Sequence, residues 1–218
     1  MSCAALADAV RLDLGFGYDK PLTLAHWRTL GMLVGCGSLP RLERLGIFGD
    51  DNGDEGVASL ADGLRRGRLP SLRYLVLYDA QIGPQGATAL APALTKRALP
   101  SLERLNLICN PLGDAGLAAL LPALRQLPPL KRLDLYETNI GDEGVASLVA
   151  QPTAGALKSL ARLFLDRNQI TDAGCATLAS ALRGGALPAL KRLELGENPA
   201  SQEAQATVQA GISARSGQ

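Results

Sequence analysis

The stretch LARLFLDRNQITDAGCATLASAL, residues 160–182, changes its hydrophobic period partway along its length. Its first part has the pattern LxxLxL, in which Leu163 and Leu165 fall on one side of an extended strand and Arg162 and Phe164 on the other. Its second part has apolar residues at the i, i+3, i+4, i+7 spacing of an amphipathic helix, namely Cys175, Leu178, Ala179 and Leu182. The stretch therefore predicts a strand, a turn and a helix.

The strand pattern recurs at nearly constant spacing. Copies start at residues 42, 72, 102, 130, 160 and 190, so successive starts lie 30, 30, 28, 30 and 30 residues apart. A weaker copy, AVRLDL, starts at residue 9. Self-similarity at a fixed period of this length is the signature of a solenoid. One strand and one helix cannot bury their apolar faces alone, so we expect the units to stack on one another.

One eight-residue string, GDEGVASL, occurs twice, at residues 53–60 and 141–148. In both places it covers the end of a turn and the first turns of a predicted helix. Acidic side chains are favourable there because of the helix dipole. We interpret the string as a structural element, and its acidic residues as solvated groups at a helix start.

The fold class that follows is α/β, as a leucine-rich solenoid of about six to seven repeats. Helices pack about 10 Å apart and parallel strands about 4.8 Å apart, so the stack bends into a horseshoe with the parallel sheet inside and the helices outside. We expect a single domain over residues 1–218. Residues 1–37 form a degenerate first repeat and cap, 38–200 the regular repeats, and 201–218 a polar capping helix and tail.

The repeat phrase LxxLxLxxNxIxDxGxxxLxxAL resembles the ribonuclease-inhibitor-like class of leucine-rich repeats, which residues 160–182 match almost position for position. In that class, an asparagine after each strand bonds to backbone groups of the turn. The resemblance puts this ladder at Asp50, Ala80, Asn110, Thr138, Asn168 and Asn198. Because an alanine side chain cannot make such a bond, we expect a looser turn at residues 79–82.

The resemblance implies several functions. The class includes ribonuclease inhibitors, sensing domains of innate-immune receptors and activators of the small GTPase Ran. Its inhibitors are longer and richer in cysteine than this chain, which argues against that activity. Two alternatives stay open beside a binding module: a GTPase-activating or other regulatory protein resembling the Ran GTPase activators, and the sensing domain of a larger receptor.

The composition argues against nucleic-acid binding, histidine-based catalysis and metal binding. Twenty-two Lys and Arg balance 21 Asp and Glu, without the basic bias typical of nucleic-acid or membrane-surface proteins. The single histidine, His26, lies in a predicted capping helix, so no His-based triad or metal cluster is available. Four scattered cysteines without CxxC spacing indicate reduced thiols. We expect a cytoplasmic, non-catalytic protein without cofactor, metal, small-molecule substrate or membrane segment.

The inner face of the predicted sheet carries the residues of greatest interest. Like positions of in-register strands form columns, one mainly of arginine and one of Phe, Tyr and Ile at the strand ends. Both residue types are common at interface hot spots. We predict a partner-binding surface for a protein, made by Phe48, Tyr74, Tyr78, Arg104, Ile108, Arg132, Tyr136, Arg162 and Phe164.

Two other interpretations of the same columns are open. Asp134 and Glu194 lie beside Arg132 and Arg192 and could pair with them, which would make the arginine column a self-satisfied surface. The arginines would also suit phosphates, but the interleaved acidic residues argue against nucleic acid.

Overall fold

The computed structural model describes residues 7–15, 22–49, 51–127, 130–150 and 157–216. Within the described residues, seven parallel strands form one sheet, and each strand pairs with its neighbours in sequence order. The strands are β1 Arg11–Leu14, β2 Arg44–Phe48, β3 Tyr74–Tyr78, β4 Arg104–Asn106, β5 Arg132–Asp134, β6 Arg162–Phe164 and β7 Arg192–Glu194.

A helix follows each strand along the chain. The helices are α1 Leu24–Gly35, α2 Gly53–Arg66, α3 Pro84–Leu90, α4 Gly113–Leu124, α5 Asp142–Val149, α6 Asp172–Arg183 and α7 Gln202–Ser216. A short 3-10 helix, Ala91–Ala93, extends α3. Each helix packs against the next one along the chain, so the helices form a single layer outside the sheet.

The leucines of the strand pattern hold the two layers together. In-register pairing aligns the fourth position of every repeat, where Leu45, Leu75, Leu105, Leu133 and Leu163 are all fully buried. They belong to one continuous apolar cluster that extends from Trp27 to Ile212. The predicted α/β solenoid of about seven repeats is thus confirmed.

Two helices stand at the ends of the helix layer. In α1, Trp27 is only 1% exposed. The exposed His26 accepts the Thr23 N–H through Nδ1 at 3.0 Å, so the lone histidine caps the start of this helix. In α7, Val208 and Ile212 are buried, and Gln209 Nε2 donates to the Leu193 carbonyl of β7 at 2.6 Å. A carbonyl of the last strand is therefore satisfied within the chain.

Buried asparagines join successive turns. Asn168 Nδ2 donates to the Leu135 carbonyl at 2.7 Å, and its Oδ1 accepts the N–H groups of Thr138 and Ile140 at 3.1 and 2.9 Å. Asn110 makes the equivalent bonds to Leu77, Ala80 and Ile82. Each asparagine thus supports the turn of the preceding repeat, which a buried backbone segment requires.

The expectation of a looser turn at residues 79–82 is wrong, because Asn110 of the following repeat supports this turn. The backbone N–H groups of Ala80 and Ile82 both donate to Asn110 Oδ1, at 3.1 and 2.9 Å, so this turn is held as firmly as the others. Ala80 itself has no side chain that could make the corresponding bonds to the turn of the preceding repeat. Asp50, the ladder position of that turn, lies outside the described residues.

A second ladder runs along the helix starts, and the sequence analysis missed it. Asp54 Oδ1 accepts the Gly83 N–H at 2.7 Å, and Asp142 Oδ1 accepts the Thr171 N–H at 2.8 Å. Asp114 and Asp172 bond in the same way to Gly141 and Ser201, both at 2.6 Å. These acids are therefore bonded across repeats, contrary to the expectation that they are merely solvated.

The glycine of the same string makes this contact possible. A Cβ on Gly144 would lie 2.4 Å from Asp114 Oδ1, and one on Gly56 would lie 2.8 Å from the Trp27 ring. GDEGVASL recurs because its aspartate reaches forward to the next repeat and its glycine lets the preceding one approach closely. Pro84 occupies the aspartate position in α3, and Gly113 of the following repeat donates instead to the Thr138 carbonyl.

We predict that Asn168→Ala lowers the free energy of unfolding by about 2–4 kcal/mol, because it leaves buried N–H groups of Thr138 and Ile140 without an acceptor. Urea unfolding followed by circular dichroism measures the change. Gln169→Ala, at the exposed neighbouring position, is the matched control and should unfold like the wild type. Equal midpoints for the two variants would contradict the ladder's role.

We predict that Asp142→Ala lowers the free energy of unfolding by about 1–2 kcal/mol, since it removes the acceptor of the Thr171 N–H. Glu143→Ala removes a charge from the same helix start but no hydrogen bond, and should change it by less than about 0.5 kcal/mol. Thermal unfolding of both variants separates the inter-repeat bond from the helix-dipole contribution. A similar loss in both would assign the effect to charge alone.

Candidate functional site

The arginine column lies on the open face of the sheet. Strand pairing aligns Arg44 with Tyr74, Tyr74 with Arg104, and Arg104 with Arg132, and continues through Arg162 and Arg192. These positions alternate with the buried leucines, so their side chains lie on the face opposite the helices. Tyr74 interrupts the column, as its sequence position predicts.

A buried carboxylate holds two of these arginines. Asp134 Oδ2 lies 2.7 Å from Arg104 Nε, and Oδ1 lies 2.8 Å from Arg132 Nε. The Asp134 side chain is only 1% exposed, whereas each arginine is 28% exposed. Like charges on adjacent strands repel. Asp134 offsets this repulsion and fixes both guanidinium groups in place.

Phe164 lies between two arginines on neighbouring strands. The guanidinium carbon of Arg132 is 4.3 Å from the ring centroid, and that of Arg192 is 5.5 Å away. Both distances are within the range of cation–π attraction. Arg192 also pairs with Glu194 at 2.6 Å. The pairing of Arg132 and Arg192 with these acids agrees with the self-satisfied interpretation for those two residues.

Arg162 differs from its neighbours. It is exposed and lies in register between Arg132 and Arg192. Within the described ranges no carboxylate pairs with it and no hydrogen bond involves its side chain. The self-satisfied interpretation therefore fails at this position, because no carboxylate of the described residues pairs with the charge of Arg162.

A shallow cavity of about 280 Å³ opens beside these residues. It is lined by Tyr74, Glu103, Arg104, Lys131, Arg132, Ala161 and Arg162. Glu103 pairs with Arg73 at 2.9 Å and with Lys131 at 3.3 Å. Desolvation acts to raise the pKa of Glu103, but the hydrogen bonds and charges of Arg73 and Lys131 outweigh it and lower this pKa, so the carboxylate stays ionised.

The aromatic column is divided in two. The rings of Phe48 and Tyr78 lie 6.2 Å apart between centroids and are tilted by 37°. Backbone bonds from Asp79 to Ile108 and from Cys109 to Tyr136 keep the column in register beyond the strand ends. Ile108 separates the ring pair from Tyr136, whose ring lies 5.5 Å from the Arg167 guanidinium carbon.

The carboxyl ends of the strands carry acidic residues. Arg167 pairs with Glu197 at 2.8 Å and with Glu137 at 3.8 Å. Desolvation raises the pKa of Asp166, which accepts the Gly196 N–H at 3.1 Å. Burial likewise raises the pKa of the Cys109 thiol, so Cys109 is a protonated thiol near neutral pH and a poor nucleophile.

The structure brings several predicted residues together. Tyr74, Arg104, Arg132 and Arg162 line one cavity, Phe164 packs against Arg132, and Phe48 packs against Tyr78. Ile108 and Tyr136 lie farther along the strand direction, beyond the ends of β4 and β5. Their role as binding residues stays a prediction.

Glu103 and Lys131 also line the cavity, although the alternation of strand residues did not single them out. They occupy the second position of LxxLxL, before β4 and β5 begin. Only the recurrence of a charged residue at that position in LERL and LKRL could have indicated them.

Other kinds of site find little support in the part of the chain that the structure describes. It contains no group of three His, Cys, Asp or Glu residues placed to hold a metal ion. Cys36, Cys109 and Cys175 are free thiols, and Cys3 lies outside the described residues. None of the described helices has the length and hydropathy that crossing a bilayer requires.

Comparison with known proteins agrees with the architecture. The family model described as Leucine Rich repeat matches residues 68–91, 98–121 and 126–149. Each match covers the residues before a strand, the strand itself and all or most of the helix that follows it. With its seven in-register strands, the chain has the fold of a leucine-rich repeat solenoid, and the matched segments are similar to that family. No curated protein sequence matches it.

Solved structures with similar folds have low sequence identity. A protein from Bacteroides fragilis is 20% identical, with a TM-score of 0.50 over 75% of this chain and 43% of its own. Leiomodin-1 actin-binding site 2 is 17% identical, with a TM-score of 0.49 over 91% and 92% of the two chains. An internalin from Listeria monocytogenes is 19% identical, with a TM-score of 0.46 over 94% and 60%. At these identities the likeness concerns the fold alone.

We predict that Asp134→Ala lowers the free energy of unfolding by about 2–3 kcal/mol, because it removes a buried charge and leaves Arg104 and Arg132 to repel each other. Glu194→Ala breaks a more exposed pair with a single arginine and should cost less than about 1 kcal/mol. Chemical denaturation compares the two. A smaller loss for Asp134→Ala than for Glu194→Ala would contradict the organising role of Asp134.

Proposed function

We propose that this chain is a non-catalytic protein-interaction module that binds a protein partner on the concave, open face of its sheet. The observation that carries the proposal is the group around Phe164, an aromatic ring flanked by Arg132 and Arg192 beside the unpaired Arg162. An exposed arginine that no described carboxylate pairs with can form charge-assisted hydrogen bonds to a ligand.

Preorganisation of this surface favours binding. Asp134 and Glu194 hold the arginines on either side of Phe164, so little side-chain freedom is lost when a partner docks. Arginine and aromatic residues are also the types that contribute most at interface hot spots. The second aromatic group, Phe48 and Tyr78, extends the same face toward the first repeats, and Tyr78 is 38% exposed.

Membership of the ribonuclease-inhibitor-like class belongs to this proposal. Its support is the strand–helix repeat of 28 to 30 residues and the asparagine ladder of Asn110, Asn168 and Asn198. A cytoplasmic location is also part of it and rests on the scattered cysteines, whose spacing does not suggest a disulfide framework. Residues 1–218 are proposed to act as one domain.

Capture of partners from a native lysate, with identification by mass spectrometry, tests the binding face. The bait is the wild type beside a variant carrying Tyr78→Ala, Arg162→Glu and Phe164→Ala. We expect a protein that the wild type retains and the variant loses. A second variant, Arg183→Glu on the exposed side of α6, reverses an exposed charge in the helix layer and should retain the partner.

Circular dichroism checks that every bait is folded. Equal retention by the wild type and the concave-face variant would move the interface to the helices or to the ends of the stack. Loss by Arg183→Glu alone would place it on the helix layer. A GTP hydrolysis assay with the captured partner tests the regulatory alternative, since acceleration by the chain would contradict a purely binding role.

A further inference from the structure

Charge is distributed unequally along the strand direction of the sheet face. We define the basic band as the charged residues that lie within the strands β4 to β7 or immediately before them, namely Glu103, Arg104, Lys131, Arg132, Asp134, Arg162, Lys191, Arg192 and Glu194. We define the acidic band as those beyond the strand ends, namely Asp79, Glu137, Asp166, Arg167 and Glu197. The two bands have opposite net charge, although the whole chain is nearly neutral at +1.

We propose that the basic band recognises a carboxylate-bearing segment of the protein partner, with Arg162 as the primary contact. The inference rests on the proposed function and specifies the chemistry of the partner. It is an acidic peptide segment that lies along the arginine column and directs one or more Asp or Glu side chains at Arg162.

The pairing within the basic band supports this assignment. Its six cations face three carboxylates, and each carboxylate already has a cation partner: Asp134 contacts Arg104 and Arg132, Glu103 contacts Lys131, and Glu194 contacts Arg192. Among the described residues no carboxylate pairs with Arg162 or Lys191, and of these two only Arg162 lies in the column of strand arginines. An incoming carboxylate would therefore meet an arginine that it does not have to separate from an existing ion pair.

The surroundings of Arg162 strengthen its attraction for an anion. Arg132 and Arg192 lie in register on either side, so three arginine residues stand on neighbouring strands, whose backbones are about 4.8 Å apart. The cavity next to Arg162 contains Tyr74, which offers a ring to the apolar part of a bound side chain. Arginine binds carboxylates with two parallel hydrogen bonds when the fork is free.

An acidic peptide fits this surface better than nucleic acid does. A phosphate backbone presents a row of charges and would bring several phosphates close to Glu103, Asp134 and Glu194, all of which stay in the band. Since Asp134 is buried, it cannot move away. A single carboxylate, or two spaced apart, can reach Arg162 without approaching these acids.

Fluorescence anisotropy with labelled hexaglutamate as the probe tests the inference. We expect the wild type to bind it at low salt and to lose affinity as salt is raised, because the attraction is between exposed charges. Arg162→Glu should weaken binding at least about tenfold. Arg183→Glu changes the net charge by the same amount and should bind the probe like the wild type. Labelled hexaglutamine is the uncharged control.

Three results would overturn the inference. The first is the absence of hexaglutamate binding to the wild type, or equal weakening by Arg162→Glu and Arg183→Glu. The second is tighter binding of a labelled oligothymidylate with the same dependence on Arg162, which would assign the band to nucleic acid. The third is self-association of the wild type in sedimentation that Arg162→Glu abolishes, which would assign it to the acidic band of a second copy.

Failure of this inference and failure of the proposed function are distinguishable. If hexaglutamate does not bind but the concave-face variant still loses its captured partner, the face binds a partner of other chemistry. If that variant retains every captured protein, the proposed function itself is contradicted, whatever the probe does.

Discussion

The structure depends on hydrogen bonds that pass from one repeat to the next. In the turns at residues 80–82 and 138–140, buried backbone N–H groups lie next to the apolar core and need partners within the protein. Asn110 and Asn168 supply them on the side of the core, and Asp54, Asp114 and Asp142 supply them at the helix starts. Because each bond joins neighbours, the array is stable only as a stack.

The same bonds explain the properties of the open face. They hold neighbouring repeats in register, and the register aligns like residues at the strand spacing. The arginines of such a column repel one another, and the buried Asp134 offsets this repulsion by pairing with both Arg104 and Arg132. Arg162 has no acid at the equivalent position of its own strand, where Phe164 stands, and the acids of the two adjacent strands, Asp134 and Glu194, pair with other arginines. Among the described strands, Arg162 is therefore an exposed arginine of the column without an ion pair.

Much of this surface was predictable from the sequence, because the chain repeats at a nearly constant length. A strict repeat with in-register pairing converts a spacing of 28 to 30 residues directly into adjacency in space. The arginine column, its interruption at Tyr74 and the pairing of Arg132 with Asp134 all follow from that rule. This rule did not identify Glu103 and Lys131, because they precede the strands. Outside a strand, the alternation of residues does not predict the direction of a side chain.

By itself, the sequence determined the class of fold, the number of repeats and which residues share a column, because hydrophobic period and repeat length are local properties. The tertiary structure decided which groups within a column find partners. It showed that Asp134 pairs with two arginines and that no described carboxylate pairs with Arg162. It also showed that Asn110 supports the turn at Ala80. Such assignments depend on differences of a few tenths of an ångström in the distances between side chains, many of which are about 30 residues apart, and no spacing in a sequence specifies these differences.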